Sequence, residues 1–271
     1  MKKRVLPGPL LVLLFFLSSG QVFAGNDDMI PDISASNLDQ IPVLMSWSCK
    51  ELHHALEEEL SQQLEEESRQ PVSVTHTWTY PYGSPKAEKY SLTYYILRSD
   101  YADCCNFTRL PEYNDDFLVY LQDDRDDRLI VDLVECFDML ADDHGLNEYE
   151  EVELMISFVQ SFDYVTDEDW KGENVEYPKF PLETLYDRCG DCEDTCILLE
   201  ALLLEKGYGC CMLLFADHAA VGIYGTYDLP GWYFTKYGRR YYYVETTDVG
   251  WGIGEMPDKA TYNSARMVFP D

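Results

Sequence analysis

Positive charge is what this sequence has least of. Lysine and arginine number 20 against 50 aspartates and glutamates, a formal net charge of −30. A surface of that sign repels nucleic acid phosphates and anionic lipids, so a nucleic-acid partner is excluded. It favours solubility, cationic partners and bound divalent cations. Long apolar runs are missing beyond residue 24, because charges interrupt each one short of the ~20 residues that a membrane-spanning helix needs. Repeats and low-complexity segments are missing too, which removes repeat architectures. Histidine is scarce, and after Cys192 there is only His218.

The one long apolar stretch lies at the start. Met1-Lys2-Lys3-Arg4 is a basic n-region, Leu10 to Leu17 an apolar h-region, and Val22-Phe23-Ala24 a cleavage pattern before Gly25. Residues 1–24 are therefore predicted to be a signal peptide. The expected location is secreted, periplasmic or at the cell surface, with no membrane span after signal removal; an uncleaved anchor is the alternative. Nine cysteines in an exported chain raise the prospect of disulfides, and the odd count leaves at least one thiol without an intrachain partner. The neighbours Cys104-Cys105 and Cys210-Cys211 cannot easily close on themselves; in a strand their side chains would point to opposite faces.

Helical spacing is clear over 48–69, where Leu52, Leu56, Leu60 and Leu64 recur every fourth residue among glutamates. Residues 72–80 and 89–99 alternate and read as two strands of a hairpin. An amphipathic helix is predicted over 129–145, and another starts at Asn147, where Asn147 and Glu150 make a capping arrangement. A long irregular loop over 163–188 follows, of the kind that lines a site or forms a lid. ILLEALLLEKG (197–207) is helical, with Asp191 as N-cap and Cys192 at the first helical position. Three strands follow, over 210–216, 218–227 and 239–247.

The stretch DRCGDCEDTCIL (187–198) gathers Cys189, Cys192 and Cys196 among four carboxylates. Four chemistries compete for it. A zinc knuckle would use Cys189 and Cys192, but a second CxxC is missing. A redox pair would use the same CxxC at a helix start, but no apolar strand precedes it and no proline lies between Leu182 and Leu229. A structural role suits Cys196. A nucleophile suits Cys192, because a helix N-terminus offers partial positive charge to a thiol in its first turn. That role also needs a base and an orienting group. His218, at the start of one strand, and Glu245, near the end of its antiparallel neighbour, can meet side by side; alternation puts Tyr241, Tyr243 and Glu245 on one face.

GDCEDTCILLEALLLEKGYGCCMLLF, then DHAAVGI, then YYYVETT, resembles the transglutaminase-like cysteine-enzyme superfamily, especially its microbial protease-like members. The resemblance covers residues 147–256. It implies a papain-like core with Cys192 as nucleophile, His218 as general base and acid, and Glu245 as orienting acid. Glutamate departs from the usual aspartate, which leaves Asp248 as an alternative orienter, and the aromatic residue common after the histidine is replaced by Ala219. Gln160 resembles the position where related sequences carry a polar side chain, a candidate oxyanion donor; its other reading is an exposed helix glutamine. Some relatives with a GDCED block bind calcium beside the cysteine, so by similarity Asp191, Glu193 and Asp194 are candidate calcium ligands, against simple capping of the helix. No cofactor is required by the chemistry itself.

These readings combine into an α+β fold. A papain/transglutaminase-like core over 147–271 packs a nucleophile-bearing helix on an antiparallel sheet, and an N-terminal α/β accessory region (helix, hairpin, helix) spans 25–146. The expected activity is that of an exported cysteine peptidase or amidase acting on a peptide or protein substrate through a Cys192 thioester. The alternatives are an acyl-transferring transglutaminase, a non-catalytic binding module and a CxxC thiol–disulfide protein.

Overall fold

The computed structural model describes residues 49–109, 117–172, 175–225, 229–257 and 264–270. The predicted signal peptide and the lead-in to residue 48 lie outside them. The chain divides into two compact units, one ending at Gln70 and the other starting at Pro71. In the first, α1 (Cys49–Ser68) is a glutamate-rich helix, and Leu60 and Leu64 of its leucine stripe are exposed.

The second unit opens with the predicted hairpin. Strands β1 (Pro71–Tyr80) and β2 (Glu88–Leu97) pair antiparallel from Pro71↔Leu97 to Tyr80↔Glu88. Their alternation sends Val74, His76 and Trp78, with Tyr90, Leu92, Tyr94 and Ile96, to the buried face. Two short helices, α2 (Arg98–Cys105) and α3 (Leu118–Gln122), lead to α4 (Asp127–His144). That helix ends on Gly145 at φ 64°, a left-handed C-cap that glycine adopts without strain. Next, α5 (Glu148–Gln160) starts at the expected Asn147 cap, whose side chain accepts from the Tyr149 and Glu150 N–H groups while Glu150 bonds back to the Asn147 N–H.

Segment 163–188 is more ordered than its sequence suggests. It holds β3 (Asp163–Tyr164), α6 (Asp167–Lys171) and α7 (Pro181–Asp187). Pro181 is a start signal for α7, since a missing N–H costs nothing in the first turn. Strand β4 (Cys189–Gly190) pairs parallel to β3. Then comes α8 (Cys192–Glu205), whose Ile197, Leu198, Leu199, Leu202 and Leu203 are all fully buried. A helix apolar on every side belongs in the middle of a protein.

The remaining strands are β5 (Cys210–Leu214), β6 (Ala219–Tyr224), β7 (Tyr233–Lys236), β8 (Arg239–Val244) and β9 (Arg266–Val268). They form one antiparallel sheet in the order β7-β8-β6-β5-β9. One face, with Cys210, Met212, Val221 and Val244, belongs to the main core; the other, with Cys211, Leu213 and Tyr243, is covered by Met256, Met267 and Phe269. The vicinal cysteines thus point to opposite sides. The main core also includes Trp78, Phe137, Phe158 and Leu198. It runs from the hairpin to the sheet without a break. Among the described residues no helix is long and apolar enough to cross a membrane.

Candidate active site

The start of α8 is locked from below. Asp194 is fully buried, and its carboxylate accepts from the Lys179 N–H at 2.7 Å and the Asp191 N–H at 3.3 Å. Gly190 fits against it only because it lacks a side chain: a Cβ there would lie 2.6 Å from the Asp194 Cβ. Lys179, 2% exposed, places its ammonium over the Trp170 ring and bonds Asp187 Oδ2 and the Cys189 carbonyl, each at 3.1 Å. The same ammonium lies 3.8 Å from the Cys189 sulfur.

A latch joins this helix start to the turn after β8. The Thr195 hydroxyl bonds the Thr246 hydroxyl at 2.9 Å and donates to the Asp191 carbonyl at 2.8 Å. The Cys196 sulfur lies 3.5 Å from the same Thr246 hydroxyl, the structural place expected for that cysteine.

Glu245 is 3% exposed and fully partnered. Its Oε2 meets His218 Nε2 at 3.1 Å and accepts from the Tyr243 hydroxyl at 2.7 Å; its Oε1 accepts from the Thr246 and Thr247 N–H groups and the Thr247 hydroxyl. Burial alone would raise this acid, but the bonds from His218, Tyr243 and Thr247 hold it down to about 2. A carboxylate at Nε2 makes that nitrogen the donor and Nδ1 the basic atom. Phe215 stacks beside the ring, and its N–H donates to the His218 carbonyl, which fixes the tight turn between β5 and β6. The alternative orienter, Asp248, is exposed and accepts from its neighbour's N–H at Val249.

Cys192, half-buried, and His218 line the same cavity of about 640 Å³. The thiol donates to Glu193 Oε2 at 3.1 Å. Burial first, then the Glu193 and Asp191 carboxylates, push it far above an ordinary thiol; the Ala219 N–H pulls the other way. The partial positive charge of the helix start is thus outweighed at Cys192 by burial and the two neighbouring carboxylates.

Gln160 is neither exposed nor aimed at the cavity. Its Nε2 donates to the Glu245 and Trp251 carbonyls at 2.9 and 2.8 Å, and its Oε1 accepts from Gly250 N–H at 3.1 Å. It braces the turn behind Glu245, whereas the Cys192 N–H is one of the first-turn groups with no intrahelical acceptor.

The candidate calcium ligands separate. Glu193 joins Asp167 and Glu176, whose ligand atoms lie within 4.8 Å of one another. Asp191 lines the same cavity, and its Oδ1 is buried without a hydrogen-bond partner. Burial, followed by Asp194 and Glu193, raises its carboxyl to about 10. Hard oxygen ligands in mutual repulsion, with an orphaned oxygen beside them, fit a divalent cation. Asp194 has turned inward to brace the helix, and the acids that gather with Glu193 are instead Asp167 and Glu176, from a segment whose sequence gave no periodic signal. Among the described residues no cysteine–histidine group comes together as a metal set. Cys189 and Cys192 are both free thiols, as are the other six described cysteines.

No protein-family model and no curated protein matches the chain. Among solved structures it is similar to calcium-bound LapG of Legionella pneumophila, at 18% identity over 58% of this chain and 80% of that one, with a TM-score of 0.32. It is also similar to a protein of Cytophaga hutchinsonii provisionally named a cysteine protease, at 14% identity over 74% of each chain, with a TM-score of 0.31. Likenesses of that extent decide neither the family nor the chemistry of this chain.

Proposed function

We propose that this chain is an exported cysteine hydrolase of the transglutaminase-like kind, with Cys192, His218 and Glu245 as its catalytic groups. The observation that carries the reading is His218, held by Glu245, lining one cavity with a cysteine at a helix start. In the first half-reaction the Cys192 proton passes to His218 Nδ1 as the sulfur attacks a carbonyl carbon. The Cys192 N–H would stabilise the oxyanion. His218 then returns the proton to the departing amine, leaving a thioester. In the second half it takes a proton from water, whose oxygen displaces the sulfur and releases the acid.

Asp167, Glu176 and Glu193 would hold a divalent cation, calcium by the character of the oxygen set. Its chemistry there is charge neutralisation beside the thiol. Lys179 and Asp194 keep the helix start in place whether or not it is loaded.

The neutral thiol donating to Glu193 favours a second reading, a binding module that keeps the fold without the reaction. Iodoacetamide labelling separates the two. An enzyme labels Cys192 much faster than the other native thiols, slows in His218→Ala, and accumulates an acyl-enzyme visible by intact mass. Labelling no faster than in the denatured chain, with no acyl adduct from any peptide ester, removes the hydrolase.

A further inference from the structure

The cavity beside Cys192 is far more acidic than the chain that builds it. Six of its fourteen lining residues are aspartate or glutamate, against 50 in the 271-residue chain. Among the described lining residues there is no lysine or arginine. Low-dielectric walls concentrate the field of such a cleft. A divalent cation on the Asp167, Glu176 and Glu193 oxygens would offset part of this charge. It would leave Glu168, on α6, and Asp217, beside His218, facing the cleft from separate elements. Asp191, 7% exposed, adds an Oδ1 that has no donor within the protein. Between these groups Leu214 and Ala216 offer apolar wall. An aliphatic stem ending in a positive head matches that surface: the stem lies on the wall and the head reaches the carboxylates.

We infer that the cleft selects cationic peptides, with lysine or arginine close to the scissile bond, and that Asp217 and Glu168 determine this specificity. The inference rests on the hydrolase reading, but peptide binding tests it apart from catalysis. The experiment uses the full chain with Cys192→Ala and three labelled peptides of one backbone, carrying lysines, glutamines or glutamates at the same positions. Fluorescence anisotropy is read with and without calcium, at low and high salt. The expected result is binding of the lysine peptide roughly tenfold or more tighter than the glutamine peptide, with the glutamate peptide weakest and the preference shrinking as salt rises. Asp217→Asn combined with Glu168→Gln should lower the preference severalfold. Equal binding of the three peptides, no binding of any, or a lysine preference untouched by the double variant overturns the inference. Slow Cys192 labelling and no acyl-enzyme in the parent chain, alongside cationic selectivity, would instead overturn the hydrolase reading alone.

Discussion

Thr195 and Thr246 share a buried hydrogen bond of 2.9 Å between their hydroxyls. One stands three residues past Cys192 on α8; the other follows Glu245 at the end of β8. The helix that presents the sulfur and the sheet that presents the imidazole–carboxylate pair come from separate stretches of chain. This bond sets the height of one against the other.

Thr246→Val removes that link while leaving Thr195 bonded to the Asp191 carbonyl, so no hydroxyl is orphaned. The expected loss of stability is about 1 kcal/mol. The larger effect should fall on reactivity, because a displacement of about 1 Å can cost on the order of a hundredfold in rate. Thr246→Ser should restore both. Peptide turnover and Cys192 labelling unchanged in the valine variant would remove the latch from the mechanism.

Glu245 gives a pH dependence with a definite sign. Its folded pKa is held at about 2, against about 4.3 in an unfolded chain. An acid depressed in this way contributes stability that is complete above the unfolded value and disappears as pH falls through the folded one. The window is therefore about pH 4.5 down to 2, with a ceiling of roughly 3 kcal/mol. Denaturant unfolding of Glu245→Gln should show a shallower decline with acid across that window than the parent. Parallel curves would mean that the carboxylate is not the group holding the turn.

Gly190 belongs to a tighter constraint than the cysteine motif suggests. A methyl group there meets the Asp194 Cβ at 2.6 Å and Oδ2 at 2.8 Å, and Asp194 cannot retreat without releasing the Lys179 and Asp191 N–H groups. Gly190→Ala should destabilise by roughly 1–3 kcal/mol, the cost of overpacking, and show as a lower melting temperature. It should also slow Cys192 labelling, because the first turn of α8 moves with Asp194. A variant with the parent's melting point and labelling rate contradicts that account.

Much of this was legible in the sequence because it is local. The Asn147 cap, the Gly145 stop, the β1–β2 alternation and the apolar run of α8 each declare themselves within a few residues. The approach of His218 to Glu245 followed from strand order and alternation. What stayed hidden depends on partners distant in the chain. Gln160 reads as a surface glutamine until the Glu245 and Trp251 carbonyls are placed above it. Asp194 reads as a metal ligand until Lys179 comes in from fifteen residues upstream to claim it. Asp167 and Glu176 lie in a segment where composition, with no period to read, was the only signal. The thiol's environment was misjudged for the same reason: the helix start was visible, whereas the burial of Cys192 and the reach of Glu193 to its sulfur were not.

A divalent cation should change both stability and reactivity. Asp167, Glu176 and Glu193 repel one another in a half-buried cluster, and Asp191 adds an oxygen with no partner. Binding at about a hundred times the dissociation constant stabilises by roughly 2.7 kcal/mol, which for a chain of this size is a rise of roughly 5–10 °C in melting temperature. Calcium should outperform magnesium, because acids drawn from the starts of two helices and an irregular stretch make an adaptable oxygen set rather than a strict octahedron. Glu193 is also the acceptor of the Cys192 thiol. Oxygens drawn to a cation no longer hold that proton, so calcium should speed alkylation of Cys192, and Glu193→Gln should lessen both effects together. Identical melting curves and labelling rates in calcium and in chelator would show that the acidic cluster holds no ion, and that Glu193 shields the thiol for some other reason.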